Sequence, residues 1–205
     1  MHSVLEIIDE STDSAGPDLV SLADLKFALG ITDTSEDEAL QAAITFQSRI
    51  IAEYCDRRFG RAQALETFVF DRNEAMLARV GLTLSLYPVV EVVEVSTAGA
   101  TAGDYEFDPS SGRLWADSDW TGRIAVVYAG GYDLPEEAPA RLAKAVIESI
   151  NEARTLGSRD PSIQSVQHGD TRIGYFSSAT STASTGFLSA PVVDLIHPFR
   201  RLHAA

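Results

Sequence analysis

The spacing of apolar side chains changes between residues 60 and 64 and changes back near residue 136, and no single element serves both spacings. Through "TSEDEALQAAITFQSRIIAEYCDRRFG", Leu40, Ala43, Ile44, Ile51, Tyr54 and Cys55 recur at the interval that lines one side of a helix. In "LETFVFD", and in "LTLSLY" with Leu82, Leu84 and Leu86, apolar residues alternate with others, the interval that lines one face of a sheet. "VVEVVEV" (89–95), "YEFD" (105–108), "GRLW" (112–115) and "RIAVVYAGGY" (123–132) read as further short strands with Gly- and Asp-rich joints. Helical spacing returns in "PEEAPARLAKAVIESINEARTLG", where Leu142, Val146, Ile150 and Ala153 form a stripe.

The helix ends are marked as well. Ser21 and Asp24 have capping-box spacing, Gly30 sits at a stop, and Leu22, Leu25 and Leu29 share a face. Thr34 or Ser35 caps the second helix, Glu36, Asp37 and Glu38 complement its positive end, and Arg57 and Arg58 fall in its last turn before Gly60. Pro139 suits a first turn, Arg154 a last turn and Gly157 a stop. The expected helices are 21–30, 35–59 and 136–156, with a β insertion over 64–132. Residues 1–19 read as an acidic, poorly ordered arm. Beyond residue 157 the chain is rich in Ser, Thr and Gly and reads as an extended connector. It ends in "SAPVVDLIHPF", a short helix opened by Ser189 and Pro191, with Val192, Leu195 and Ile196 on one side and Pro198 at its end.

Composition bounds the function. An apolar fraction of 45% over 205 residues suits a globular domain with tails. No apolar run approaches the length of a membrane span, and the acidic start lacks the basic region of a secretory signal, so a cytoplasmic site of synthesis or assembly is expected. The single cysteine, Cys55, rules out an internal disulfide and a cysteine-cluster metal site. A net charge of −14 argues against binding nucleic acid by phosphate neutralisation.

Little in the chain speaks of catalysis. It has no nucleophile elbow, zinc-protease motif or dinucleotide fingerprint. Gly99 and Gly103 flank a turn without the lysine and helix of a phosphate loop. His2, His168, His197 and His203 are scattered, none with a second histidine or a cysteine one helical turn away. His168 and Asp170 read as a surface loop, and the acidic runs 36–38 and 117–119 as helix-start and loop charges. Phe68, Phe70, Trp115, Trp120 and Tyr128 read as sheet core, because a base-stacking platform needs cations around it. No catalytic residue, cofactor or metal is expected.

Several pieces then fall in a telling order: "SLADLKFALGI", the long helix ending "YCDRRFG", "YPVVEVVEV", "YEFDPSSGRLW", "IAVVYAGGYDLPEEAPARLAKAVIESINEAR", "GDTRIGYFS" and "VVDLIHPFRR". Over roughly residues 20–202 this order resembles the head–tail connector (adaptor) proteins of long-tailed phages and of gene transfer agents. "AGGY…P" before the third helix and the terminal hydrophobic-x-Pro-aromatic-Arg-Arg carry most of the likeness. The acidic segment 1–19 and the Ser/Thr-rich stretch 177–186 depart from it.

The resemblance implies an α+β fold, a helical bundle of the phage head–tail adaptor type with an inserted small antiparallel β-sheet and an extended C-terminal arm. It implies an acidic N-terminal arm (1–19), an adaptor core (20–156) and an extended arm with a C-terminal docking segment (157–205). It further implies a structural virion protein in the particle neck, assembled in the bacterial cytoplasm. Its copies would form a ring, a dodecamer, joining the portal protein to a stopper or tail-completion protein around a DNA channel. The portal-facing residues would be Arg172, Ile173, Gly174, Tyr175 and Phe176, with Leu195, Ile196, Pro198, Phe199, Arg200 and Arg201. Arg200 and Arg201 are cations on an acidic subunit, which suits an acidic portal surface. Two arrangements of the C-terminal segment stay open, docking on a partner or packing back on its own helices. The alternatives are another neck or tail-completion component, and, from different classes, a small hydrolase using His168 and a free-standing binding module for a cellular protein.

Overall fold

The computed structural model describes residues 2–10, 18–70, 81–97, 100–101, 105–116, 122–157, 165–168, 171–174 and 188–201. The chain divides into two compact units, one of Met1–Pro17 with Arg57–Glu137, the other of Asp18–Asp56 with Ala138–Ala205.

The first unit is built from antiparallel sheets. Its strands are β1 (His2–Glu10), β2 (Ala62–Val69), β3 (Leu82–Thr83), β4 (Val89–Thr97), β5 (Ala100–Thr101), β6 (Tyr105–Asp108), β7 (Arg113–Ala116) and β8 (Arg123–Gly130). A five-stranded sheet has the order β1-β2-β8-β4-β5, and a three-stranded sheet the order β3-β7-β6. Alternation decides what each strand buries. Ala64, Phe68, Ile124, Val126 and Tyr128 point inward from β2 and β8 and pack with Leu82, Leu84, Leu86 and Leu114.

β4 follows another rule. Its register slips between Val89 and Glu91 and again between Val92 and Glu94. Each bulge sets one extra residue against the partner strand, so three residues of β4 span two of β8. Val89, Val92 and Val95 lie opposite Gly130, Tyr128 and Val126 on the inward row. The sequence VVEVVEV has this period of three, and the bulges are how a strand accommodates it.

The segment read as a poorly ordered arm contains β1, paired to β2 from Val4↔Thr67 to Ile7↔Ala64. Leu5 and Ile7 rest against the core, which pays for ordering the strand.

The second unit holds α1 (Leu22–Leu29), α2 (Asp37–Cys55), α3 (Ala140–Gly157), a hairpin of β9 (Ser165–His168) and β10 (Thr171–Gly174), α4 (Ala190–Ile196) and a 3₁₀ turn (His197–Phe199). The expected caps of α1 are present, whereas neither Thr34 nor Ser35 caps α2, which opens at Glu36 without a side-chain cap. Ser21 Oγ accepts from the Asp24 amide at 3.1 Å, and Gly30 closes α1 at φ 68°. Leu40, Ile44, Ser48, Ile51 and Cys55 form the buried stripe of α2. Leu142, Val146 and Ile150 bury from α3, whereas Ala153 is exposed.

The expected helical bundle with a small inserted sheet is therefore incorrect. Four α-helices are described, and the strand-rich middle is a unit with its own core that also recruits β1. The second helix ends at Cys55, where Asp56 turns left-handed at φ 47°. Arg57 and Arg58 thus lie outside it. Arg57 belongs to the sheet unit, its guanidinium 3.3 Å from the Tyr87 ring centroid and its Nη2 donating to the Tyr87 carbonyl. A half-buried aromatic partner outweighed the weak attraction of a helix end for a cation.

Candidate interaction surface at the C-terminal segment

The C-terminal segment closes onto the end of α2. Ser189 precedes α4 in an extended conformation, and its hydroxyl donates to Glu152 Oε1 on α3 at 2.9 Å. Pro191 sits in the first turn, where its missing N–H costs nothing. Leu188, Val192 and Ile196 are buried.

The last turn of α2 carries no basic residue, so its carbonyl end lacks a cation of its own. The C-terminal segment supplies both things that end needs. The Arg201 amide donates to the Cys55 carbonyl at 2.8 Å, and the exposed Arg200 guanidinium stands 5.5 Å from the Tyr54 ring centroid. Cys55 Sγ is 3.8 Å from the Ile196 carbonyl. Two orphan features of one helix are thus answered from about 140 residues away in sequence.

These contacts sort the anticipated interface residues. Pro198 and Arg200 are exposed, Leu195, Phe199 and Arg201 are half-buried, and Ile196 is fully buried. Packing back on its own helices is thus the arrangement of this segment in the free chain. Arg172, Ile173 and Gly174 belong to β10 of the hairpin, opposite Gln167, Val166 and Ser165. Tyr175 and Phe176 lie outside the described residues.

Other chemistry is sparse. His168 ends β9 opposite Thr171, and Asp170 lies outside the described residues. Among the described residues no cluster of His, Cys, Asp and Glu could hold a metal ion, and no helix is long and apolar enough to cross a membrane. A depression of about 260 Å³ on the outer face of the five-stranded sheet is lined by Val4, Glu6, Leu65, Thr67, Val69 and Arg123.

No protein-family model matches the chain, and no curated protein matches it. Solved structures do. A chain in the neck of an empty gene transfer agent particle, computed with C6 symmetry, matches with a TM-score of 0.53 at 16% identity, over 98% of this chain and 97% of that one. A chain in the virion of a native gene transfer agent particle matches with a TM-score of 0.53 at 15% identity over the same shares. The likeness is one of fold.

Residues that sequence spacing did not single out complete the picture of what is rigid. Glu66, in the middle of the inward row of β2, is fully buried with its carboxylate satisfied by Ser85 and Tyr128. A lone Glu in an alternating strand reads as an outward residue. Only the phase of its neighbours Ala64 and Phe68, both inward, gives its direction away.

Proposed function

We propose that the chain is a structural component of a particle neck, a head–tail adaptor whose copies form a ring between the portal and the stopper or tail-completion protein. The supporting observation is the fold likeness along 98% of the chain to a neck chain of a particle treated with sixfold symmetry. The symmetry favours a cyclic assembly, compatible with twelve copies.

The physics agrees with a conduit. A subunit of net charge −14 repeated around an axis makes a negative wall. DNA phosphates are repelled by it, and the duplex slides without sticking. The portal-facing surface in this reading is the C-terminal segment and the hairpin. Pro198 and Arg200 offer the first contacts, with Leu195, Phe199 and Arg201 beside them and Ile196 anchoring the segment from beneath. Arg172–Phe176 form the second contact. Weak contacts from each subunit add through avidity around the ring. Assembly takes place in the bacterial cytoplasm, and the chain has a structural role without catalysis.

The test is to image particles carrying the tagged chain by electron cryo-microscopy and to measure capture of the portal protein. A ring of density beneath the portal, with capture lost on Arg200→Glu and Pro198→Asp together, is the expected result. Density elsewhere in the particle, or undiminished capture by the double variant, refutes the reading.

A further inference from the structure

The six large apolar side chains that stand most exposed among the described residues fall into two groups. Val4, Ile8, Val90 and Val93 lie on the outer side of the five-stranded sheet, whereas Phe27 and Phe46 stand on α1 and α2. Isolated exposed apolar residues need no explanation; clustered ones with charges set among them mark contact surfaces.

Two stripes are complementary. On β4 the paired bulges turn Val90, Glu91, Val93 and Glu94 all outward. On α2 the exposed positions at helical spacing are Ala42, Phe46, Arg49 and Glu53. Among the described residues Glu91, Glu94 and Arg49 have no ion-pair partner. One stripe is apolar and acidic; the other is apolar with Arg49 beside its phenylalanine and Glu53 one turn further on.

We propose that the β4 stripe of one copy docks on the α2 stripe of the next, Val90 and Val93 against Phe46, with Glu91 and Glu94 facing Arg49. The proposal rests on the ring reading above. A ring of identical subunits requires two different faces on each, meeting head to tail. Charge disfavours β4 against β4, which sets glutamates against glutamates, and α2 is the stripe that offers those glutamates a cation, Arg49.

The experiment is sedimentation velocity on the purified chain from micromolar to millimolar concentration, with circular dichroism to confirm folding. The wild type is expected to grow in mass with concentration. Arg49→Glu is expected to weaken association about tenfold, and Glu91→Arg with Glu94→Arg likewise, through like-charge contact. All three changes in one chain restore the attraction and the association. Phe46→Asp and the double variant Val90→Asp, Val93→Asp are each expected to be monomeric. Mixed together they stop at dimers, because each supplies the one face the other lacks. A wild type that assembles while these variants assemble equally, or a triple charge reversal that fails to recover, overturns the proposed faces and leaves the ring standing; another partner then covers them. A wild type monomeric to millimolar concentration overturns the proposed faces and leaves the ring reading to the particle imaging above.

Discussion

The hydroxyl of Tyr128 donates to the carboxylate of Glu66 across 2.8 Å in the interior of the sheet unit. The same phenol oxygen accepts from the Leu86 amide at 3.0 Å, and Glu66 also accepts from the Ser85 amide at 2.8 Å and the Ser85 hydroxyl at 2.5 Å. Burial first, and the Glu66 charge second, push the Tyr128 phenol far above its ordinary range, so it stays a donor. Two strands and the bend at 85–86 are thereby tied by one buried carboxylate.

Replacing that carboxylate leaves donors unsatisfied in a dry place. Glu66→Leu is expected to cost about 3 kcal/mol in urea unfolding. Tyr128→Phe strands the Leu86 amide and costs about 1–3 kcal/mol, with the double variant costing less than the sum because the two share a bond. Additive losses would show that the two side chains act separately.

The turn between β6 and β7 carries a pH dependence. Asp108 is held down to about 2 from its ordinary 3.8 by the Ser111 hydroxyl first, then by the hydroxyl and amide of Ser110. The folded value lies below the unfolded one. The stabilisation is therefore complete above pH 3.8 and is lost as pH falls through about 2. A carboxyl-carbon NMR titration should place the midpoint near the lower value, and Ser111→Ala should move it upward. An unchanged midpoint in that variant counts against the assignment.

Gly130 is required by what surrounds it. A Cβ there would come within 2.2 Å of the Leu86 carbonyl oxygen and 3.0 Å of that of Pro88, both backbone. Gly130→Ala is expected to cost about 2–3 kcal/mol, since neither neighbour yields as a flexible side chain would. Thermal unfolding measures it, and a shift of less than a degree would mean that the loop moves freely.

Ile196 tests how firmly the C-terminal segment is held. Ile196→Ala is expected to cost about 2–5 kcal/mol of local docking. Limited proteolysis should then cut within 188–201 while α2 and α3 stay protected. If the segment in the variant resists cleavage as in the wild type, the anchor lies elsewhere.

What could be read from the chain was what local chemistry decides. Ser21, Gly30 and the alternation in 123–130 act within a few residues, and the elements they foretell are present. What escaped depends on distant partners. Arg57 leaves α2 for the Tyr87 ring, and α2 takes its terminal cation from Arg200 instead. β1 exists because β2 offers it an edge, which nothing in its own composition announces. The bundle was expected because three helices announce themselves through caps, whereas a sheet with a core of its own declares itself only through pairing. Of the anticipated interface, Pro198 and Arg200 are exposed and Ile196 is not, a distinction that spacing on a seven-residue helix does not make.

The alternation of the chain between its two units has a consequence for synthesis. The sheet unit needs residues 57–137 as well as β1, and the helical unit needs both 18–56 and 138–205. On the ribosome α1 and α2, following β1, therefore emerge ahead of α3 and α4 and wait, their apolar stripes uncovered, while the rest of the sheet unit is made behind them. Only translation of α3 and α4 lets the earliest helices bury what they have carried. A pause or chaperone contact between those two moments acts on a half-made helical unit in a chain whose sheet unit has all its strands.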